Sequence, residues 1–269
     1  MSRGSGHRLA LIDLLGRRDP PLDDPGAALA EFRVQVDGVI VTNPSARVRR
    51  DAAVVVKDRR QPQGVRKLGL ALERLGVDVG GRLGLDVGAC TGGFTMALLG
   101  RGARRVVAVD VGYGQLLGSL QQDPRVVSLE RTNVADLHPG LLCAPDVLGG
   151  LPEIIVADVT KIPLRQVGRQ LAERQVPASA ADFVGLIKPL FELAAGVLPT
   201  TTADLDHAVS LAASGLADSG WTVVETIESA VRGHGGAVEH FVHARWGEST
   251  AEPGAGEATA GRLVPKSRP

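Results

Sequence analysis

The chain has 269 residues, enough for one large α/β domain and a small one. Its 30 Lys and Arg balance 30 Asp and Glu, which excludes the broad cationic field of an unspecific nucleic-acid binder but leaves room for a local basic patch. Aromatic residues make up only 3%, too few for a stacking platform of many rings, and the cysteines Cys90 and Cys143 have neither metal-ligand spacing nor the look of a disulfide framework.

Residues 1–60 read as a compact α+β module. Arg8 to Leu15 has helical spacing, and Ala27 to Phe32 reads as a second short helix. Val34, Val36, Val39 and Val41 alternate around Asp37-Gly38, a hairpin signal of β-branched residues flanking an Asp-Gly turn. A further strand is predicted over Asp51 to Lys57, and the polar stretch from Asp58 to Gly64 reads as a linker. The apolar stretch from Leu9 to Leu15 is broken by Asp13, and no run approaches the roughly 18 apolar residues of a membrane span. The expected compartment is the cytoplasm.

Over residues 61–248 strands and helices alternate. Lys67 to Leu75, Phe94 to Leu99 and Leu116 to Gln122 have helical spacing. Strands are predicted at Leu83 to Val87, Val106 to Val109, Val126 to Leu129, Glu153 to Ala157 and Phe183 to Ile187, with Trp221 to Ile227 and Phe241 to Trp246 as a closing hairpin. The pattern predicts a mostly parallel, seven-stranded α/β sheet with helices on both faces. Residues 249–269 are small, polar and rich in Pro and Gly, and read as a disordered tail.

The most informative segment runs from Asp86 through Val87, Gly88, Ala89, Cys90, Thr91, Gly92 and Gly93 to Phe94. A buried strand enters a glycine-rich turn that opens a helix, so backbone N–H groups at the helix start face a ligand that the glycines let approach. The spacing D-x-G-x-x-x-G favours a methyl-donor pocket over a dinucleotide pocket. The next strand ends in Asp110, followed by Val111, about 20 residues beyond the glycines, where an acid accepts from both hydroxyls of a ribose. Asn133 and Asp136 either hold the adenine end or cap their own loop. Cys90, with no nearby His, reads as a small filler.

These residues, together with Gly64-Val-Arg-Lys67-Leu, Asp110-Val-Gly-Tyr-Gly-Gln-Leu116, Asp123-Pro-Arg-Val126 and Glu130-Arg-Thr-Asn133, resemble the TlyA (hemolysin A-type) methyltransferases, relatives of the FtsJ ribose methyltransferases. The resemblance spans about residues 8–246. It implies a Rossmann-like class I methyltransferase fold behind an S4-like RNA-binding module, S-adenosylmethionine as cofactor, and 2′-O-methylation of ribosomal RNA; no metal is expected, since the chemistry needs none and the sequence shows no ligand cluster. It also implies a Lys-Asp-Lys-Glu set, matched by Lys67, Asp158, Lys188 and Glu239, with Asp158 also lining the cofactor site.

The residue types suit the chemistry. A ribose hydroxyl must lose its proton as it attacks a sulfonium methyl, and a partly desolvated lysine beside another cation has a lowered pKa and can take that proton. Lys188 is the candidate base, Lys67 the crowding cation, and Asp158 and Glu239 the groups that orient the two amines.

The acceptor half departs from the family pattern. Asp23-Asp24-Pro25 and Glu31-Phe32-Arg33 stand where the family carries cations, while Arg47, Arg49, Arg50, Arg59 and Arg60 form either a basic patch or a solvated face. Val159-Thr160-Lys161 follows Asp158, Leu190 stands in place of a Gln, the loop from Leu193 to Pro199 is short, and no Asn precedes Glu239 by two residues. A small-molecule acceptor is therefore the alternative to RNA or a ribosomal subunit. A non-catalytic binding protein is a third reading, against which the retained set of four argues.

Overall fold

Local patterning and long-range pairing together shape the N-terminal part of the protein. The computed structural model describes residues 8–18, 22, 24–30, 34–41, 43–56, 62–193 and 199–247. The chain begins with β1 (Arg8–Ala10), α1 (Leu11–Leu15) and α2 (Pro25–Ala30), followed by β2 (Val34–Val36), β3 (Val39–Ile40), β4 (Arg47–Arg49) and β5 (Val54–Val56). The expected helix over Arg8 to Leu15 therefore starts as a strand. Arg8, Leu9 and Ala10 pair antiparallel with Arg49, Val48 and Arg47, a ladder formed with residues about 40 positions away that overrides local helical spacing. The Asp37-Gly38 hairpin forms as read, with φ of 50° and 83° at the two turn residues, and β2 sits between β3 and β5. Leu11, Leu15, Ala28, Leu29, Val34 and Val36 are buried together as the core of this part.

The remainder follows the α/β alternation: α3 (Gln63–Arg74), β6 (Leu83–Val87), α4 (Gly93–Gly100), β7 (Arg105–Asp110), α5 (Gly118–Gln121), β8 (Val126–Glu130), α6 (Pro139–Leu142), β9 (Ile154–Ala157), α7 (Leu164–Glu173), β10 (Asp182–Ile187), α8 (Pro189–Glu192), α9 (Thr202–Ala217), β11 (Trp221–Glu228) and β12 (His240–Trp246). Helix α3 begins four residues before the predicted start, at Gln63 behind Pro62, whose fixed φ suits a helix entry. The strand order is β11-β12-β10-β9-β6-β7-β8. Strands β6 to β10 are parallel, and β12 runs antiparallel between β10 and β11.

The period-2 geometry of the strands separates two cores. Leu85, Val87, Val107, Val109, Ile155, Ala157, Phe183 and Ile187 face one side, where α7 and α9 cover them with Leu164, Val167, Leu171, Ala212 and Leu216. Val106, Ala108, Ile154, Val156, Val184 and Leu186 face the other side, under Leu68 and Leu72 of α3 and Phe94 and Leu98 of α4. Phe183, Trp221 and Trp246 pack in sequence at 5.1 and 5.0 Å between ring centres, and the Trp221 indole donates to the Gly168 carbonyl at 3.0 Å.

At the end of the sheet where β10 begins, Asp182 gathers three partners: Arg82 Nη1 at 2.6 Å, His243 Nε2 at 2.6 Å and Arg245 Nε at 3.1 Å. Burial alone would raise its pKa, but the hydrogen bonds to His243 and Arg82 and the neighbouring guanidinium charge hold it well below the usual carboxylate range. The tail read over 249–269, Arg59, Arg60, Asp23 and the Glu31-Phe32-Arg33 segment lie outside the described residues. Among the described residues no helix is long and apolar enough to cross a membrane.

Candidate active site

The strand order reverses direction at β6, so the chain leaves β6 toward one side and β9 toward the other, opening a crevice at their carboxyl ends. The glycine turn lies there. Gly88 has φ 83°, and a Cβ at this position would stand 2.4 Å from the Asp158 carbonyl oxygen, so only glycine allows the loops after β6 and β9 to meet. Gly92 has φ 91°, and a Cβ there would strike Leu120 Cδ1 at 2.1 Å. The amides of Gly88 and Ala89 both donate to the Val109 carbonyl, at 2.9 and 3.1 Å, which ties the turn to β7. Cys90, at φ 48°, donates its amide to Asp110 Oδ2 at 2.8 Å and its thiol to Gln115 Oε1 at 3.3 Å. Thr91 is exposed at the outer edge, Gly93 opens α4, and Phe94 is buried against Phe241.

Asp86 lies on the strand face that looks at α4 and is fully buried. Its Oδ2 accepts from Thr95 Oγ1 at 2.6 Å, whereas its buried Oδ1 has no partner. Burial raises its pKa to about 7; the Thr95 bond opposes this, and the charges of Asp158 and Asp110 add to it. A buried acceptor without a donor is costly, and an incoming ammonium group would satisfy it. Asp110 uses one oxygen for the Cys90 amide and the other for the Gly112 amide at 2.7 Å, and each oxygen keeps a second lone pair for a hydroxyl. Val111 is 70% exposed beside it, so its backbone and side chain are free to meet a ligand.

Asn133 and Asp136 form a capping box on the one-turn helix Val134–Asp136: Asn133 Oδ1 accepts from the Ala135 amide at 3.0 Å and Asp136 Oδ2 from the Asn133 amide at 3.3 Å. Of the two roles read for them, capping is the one the geometry displays. These observations fit S-adenosylmethionine. The glycine turn admits it closely, Asp86 Oδ1 matches its amino group, and Asp110 matches its ribose diol.

The four residues expected to act together form two ion pairs. Lys67 Nζ lies 2.5 Å from Glu239 Oε2, with both side chains less than 10% exposed. Lys188 Nζ lies 2.5 Å from Asp158 Oδ1, with exposures of 18% and 29%. Helix α3 carries Lys67 on its buried face beside Leu68. Glu239 precedes β12 and is enclosed by the Gly233 backbone, where a Cβ would meet its Oε1 at 2.4 Å. Asp158 and Lys188 follow the adjacent parallel strands β9 and β10, which sets their side chains next to each other. The Lys188 pair is thus the more open of the two, and the Lys67 pair is closed to solvent.

Several residues near the site were not singled out from the sequence. Thr95 was legible in principle, because a hydroxyl inside an otherwise apolar helix needs a partner. Tyr113, 69% exposed after β7, lies under the Arg131 guanidinium, which is 4.2 Å from the ring centre. Glu192, 1% exposed, meets Arg165; nothing in the sequence pattern links those two positions.

A glycine-lined, acidic crevice at the switch point of a sheet with this strand order, closed by an antiparallel last strand, is the architecture of S-adenosylmethionine-dependent class I methyltransferases. The chain belongs to the FtsJ-like methyltransferase family, whose profile matches residues 61–246. It is 40% identical over 225 residues to the 16S/23S rRNA (cytidine-2′-O)-methyltransferase TlyA of Mycobacterium tuberculosis, covering 79% of this chain and 80% of that protein. It is 31% identical over 217 residues to Hemolysin A of Brachyspira hyodysenteriae, covering 78% and 88%. A solved structure of a protein described as a hemolysin from Streptococcus thermophilus superposes with a TM-score of 0.64 at 25% identity, over 90% of each chain.

Proposed function

We propose that the protein methylates a ribose 2′-hydroxyl of ribosomal RNA and that Lys188 is the group that accepts the hydroxyl proton. The observation that carries this reading is the contrast between the two ion pairs. Lys67 and Glu239 are sealed, whereas Lys188 and Asp158 open onto the crevice beside Gly88. The likeness to a 16S/23S rRNA (cytidine-2′-O)-methyltransferase at 40% identity supports ribosomal RNA as the acceptor class. When bound, S-adenosylmethionine supplies a methyl group on a positively charged sulfur. Asp158 holds the Lys188 nitrogen in place; Lys188 first gives its own proton to solvent and, as the neutral amine, takes the hydroxyl proton while the hydroxyl oxygen bonds to the methyl and the methyl–sulfur bond breaks, and the Lys67–Glu239 pair stays closed to solvent.

The chain divides, in this proposal, into an S4-like module over residues 1–60, a methyltransferase domain over 61–248 and a tail over 249–269. The exposed guanidinium groups of Arg8 and Arg47 on the β1–β4 ladder suit phosphate contacts, whereas that of Arg49 is paired with Asp37 at 3.3 Å; the Tyr113–Arg131 stack beyond β7 suits an unstacked base. The test is transfer of labelled methyl to unmodified ribosomal subunits and, in parallel, to a small-molecule extract. Label in the RNA, lost after ribonuclease treatment and in Lys188→Ala, supports the proposal. Label confined to small molecules overturns it.

A further inference from the structure

The Asp158–Lys188 pair is one end of a longer contact. Asp158 begins a turn, residues 158–163, that leads from β9 into α7. Within it Lys161 is held at φ 74°, a left-handed conformation that residues with a Cβ avoid unless their surroundings impose it. Alongside, Lys188 caps α8, a single turn that ends at Glu192. The two segments are therefore joined at the front by Lys188 and Asp158, 2.5 Å apart.

They are joined again at the back. Helix α7 starts behind Pro163, which makes no side-chain cap of its own, so its first amide needs an acceptor from elsewhere. Glu192 provides one: its Oε1 accepts from the Leu164 amide at 2.5 Å. Its other oxygen meets Arg165 Nη1 at 2.5 Å, and that same nitrogen donates to the Glu192 carbonyl oxygen at 2.9 Å. Glu192 is 1% exposed, and burial raises its pKa while the Leu164 amide and Arg165 charge pull it back. Burying a carboxylate against a guanidinium is a poor way to gain stability, since apolar side chains of similar size often serve as well or better. Such a pair gives directional control over how two segments sit.

We propose that Glu192 and Arg165 are positioning residues that set the Lys188 amine against Asp158 by locking the 158–163 turn to the 188–192 turn. The inference rests on Lys188 being the proton acceptor. Neither Glu192 nor Arg165 touches the reacting atoms; they act through the spacing of one helical turn between Glu192 and Lys188.

The experiment compares the full-length wild type with Arg165→Met, Glu192→Gln, Arg165→Lys and Lys188→Ala. Arg165→Met keeps the aliphatic stem and removes the charge; Glu192→Gln keeps an acceptor for Leu164 and weakens the contact to Arg165. Three quantities are read: methyl transfer to ribosomal subunits, cofactor affinity, and acylation of Lys188 measured by mass spectrometry, with Lys67 as internal reference. The expected result for Arg165→Met and Glu192→Gln is a kcat lowered about tenfold or more and cofactor Kd within about twofold, with Lys188 acylated about threefold faster, Lys67 unchanged and partial rescue in Arg165→Lys. An unchanged kcat beside an inactive Lys188→Ala overturns the positioning role. So does acylation of Lys188 and Lys67 rising together, which signals general loosening, or no change at Lys188. Full activity in Lys188→Ala instead overturns the base assignment, and the acylation of Lys188 against Lys67 still decides whether the clamp holds that side chain.

Discussion

Lys188 and Asp158 stand 2.5 Å apart at the ends of neighbouring parallel strands, although the register that puts Gly185 and Val87 beside Ala157 leaves Lys188 two residues further along its strand, so its side chain reaches back to Asp158. The pair therefore sits at a fixed height above the sheet, level with the glycine turn. Replacing Lys188 with Ala is expected to lower methyl transfer by about 100-fold or more, the usual range for losing a positioned proton acceptor, with cofactor Kd within about threefold. Single-turnover transfer together with calorimetric titration of S-adenosylhomocysteine checks both halves.

The buried Asp86 predicts a pH dependence of cofactor binding. Its carboxyl titrates near 7 in the folded protein. An ammonium placed at Oδ1 favours the ionised form, so below that pH binding must expel a proton, and affinity rises about tenfold per pH unit toward 7. Above about 8 a ligand α-amino group loses its charge and the gain ends. Titrations of S-adenosylhomocysteine from pH 5.5 to 9 are expected to show this maximum, and Asp86→Asn to lose its acid limb. For the free protein the sign is opposite. The unfolded chain ionises at 3.8 and the folded carboxyl near 7, so Asp86 costs stability progressively between those values and by a constant amount above them.

The glycine turn makes a steric prediction. In Gly88→Ala the new methyl must displace the Asp158 carbonyl, 2.4 Å away, from a backbone already at φ 83°. Cofactor affinity is expected to fall about tenfold or more, since moving the Asp158 backbone disturbs the pocket and the Lys188 pair together. Equilibrium dialysis with labelled cofactor, beside circular dichroism to confirm folding, measures it.

Asp182 makes a stability prediction. Asp182→Ala leaves Arg82 and His243 without their shared anion, and is expected to cost about 3 kcal/mol or more, or roughly 6–12 °C in Tm. Because its folded pKa lies below the unfolded one, its contribution is complete above 3.8 and disappears only as pH falls through the depressed value. The variant is expected to unfold at a higher pH during acid titration than the wild type, with activity at low temperature preserved.

Beyond β7, Tyr113→Ala is expected to weaken RNA binding by about 5- to 150-fold, the range for removing one base–aromatic stack, and to leave cofactor binding unchanged. Filter binding with a ribosomal RNA fragment at fixed salt measures it.

The sequence made some of this legible and hid the rest for identifiable reasons. A run such as Ile154–Ala157 declares itself because a strand buried in a parallel sheet must be apolar along its length, and Asp37-Gly38 declares its hairpin because few other residue pairs accept two positive φ values. Arg8–Ala10 misled because its strand character comes entirely from β4, about 40 residues away. The positions of Lys67, Asp158, Lys188 and Glu239 stood out by resemblance, but which lysine meets which acid depends on strand neighbours that spacing does not reveal. Helices α7 and α9 were not read in the sequence, and the contacts of Glu192 with Arg165 and of Asp182 with Arg82 depend on that same tertiary placement.

The pairing of Lys67 with Glu239 also bears on synthesis. The two residues are separated by 172 positions, and the strand that follows Glu239 is inserted between β10 and β11 rather than added at an edge. The glycine turn, Asp110 and the Asp158–Lys188 contact all lie in chain that emerges earlier, whereas the Lys67–Glu239 pair needs the residues that lead into the last strand. A nascent chain that ends before residue 239 thus carries the glycine turn, Asp110, Asp158 and Lys188 with Lys67 still uncompensated, so a buried charge in an early helix waits for its partner from the last part of the chain.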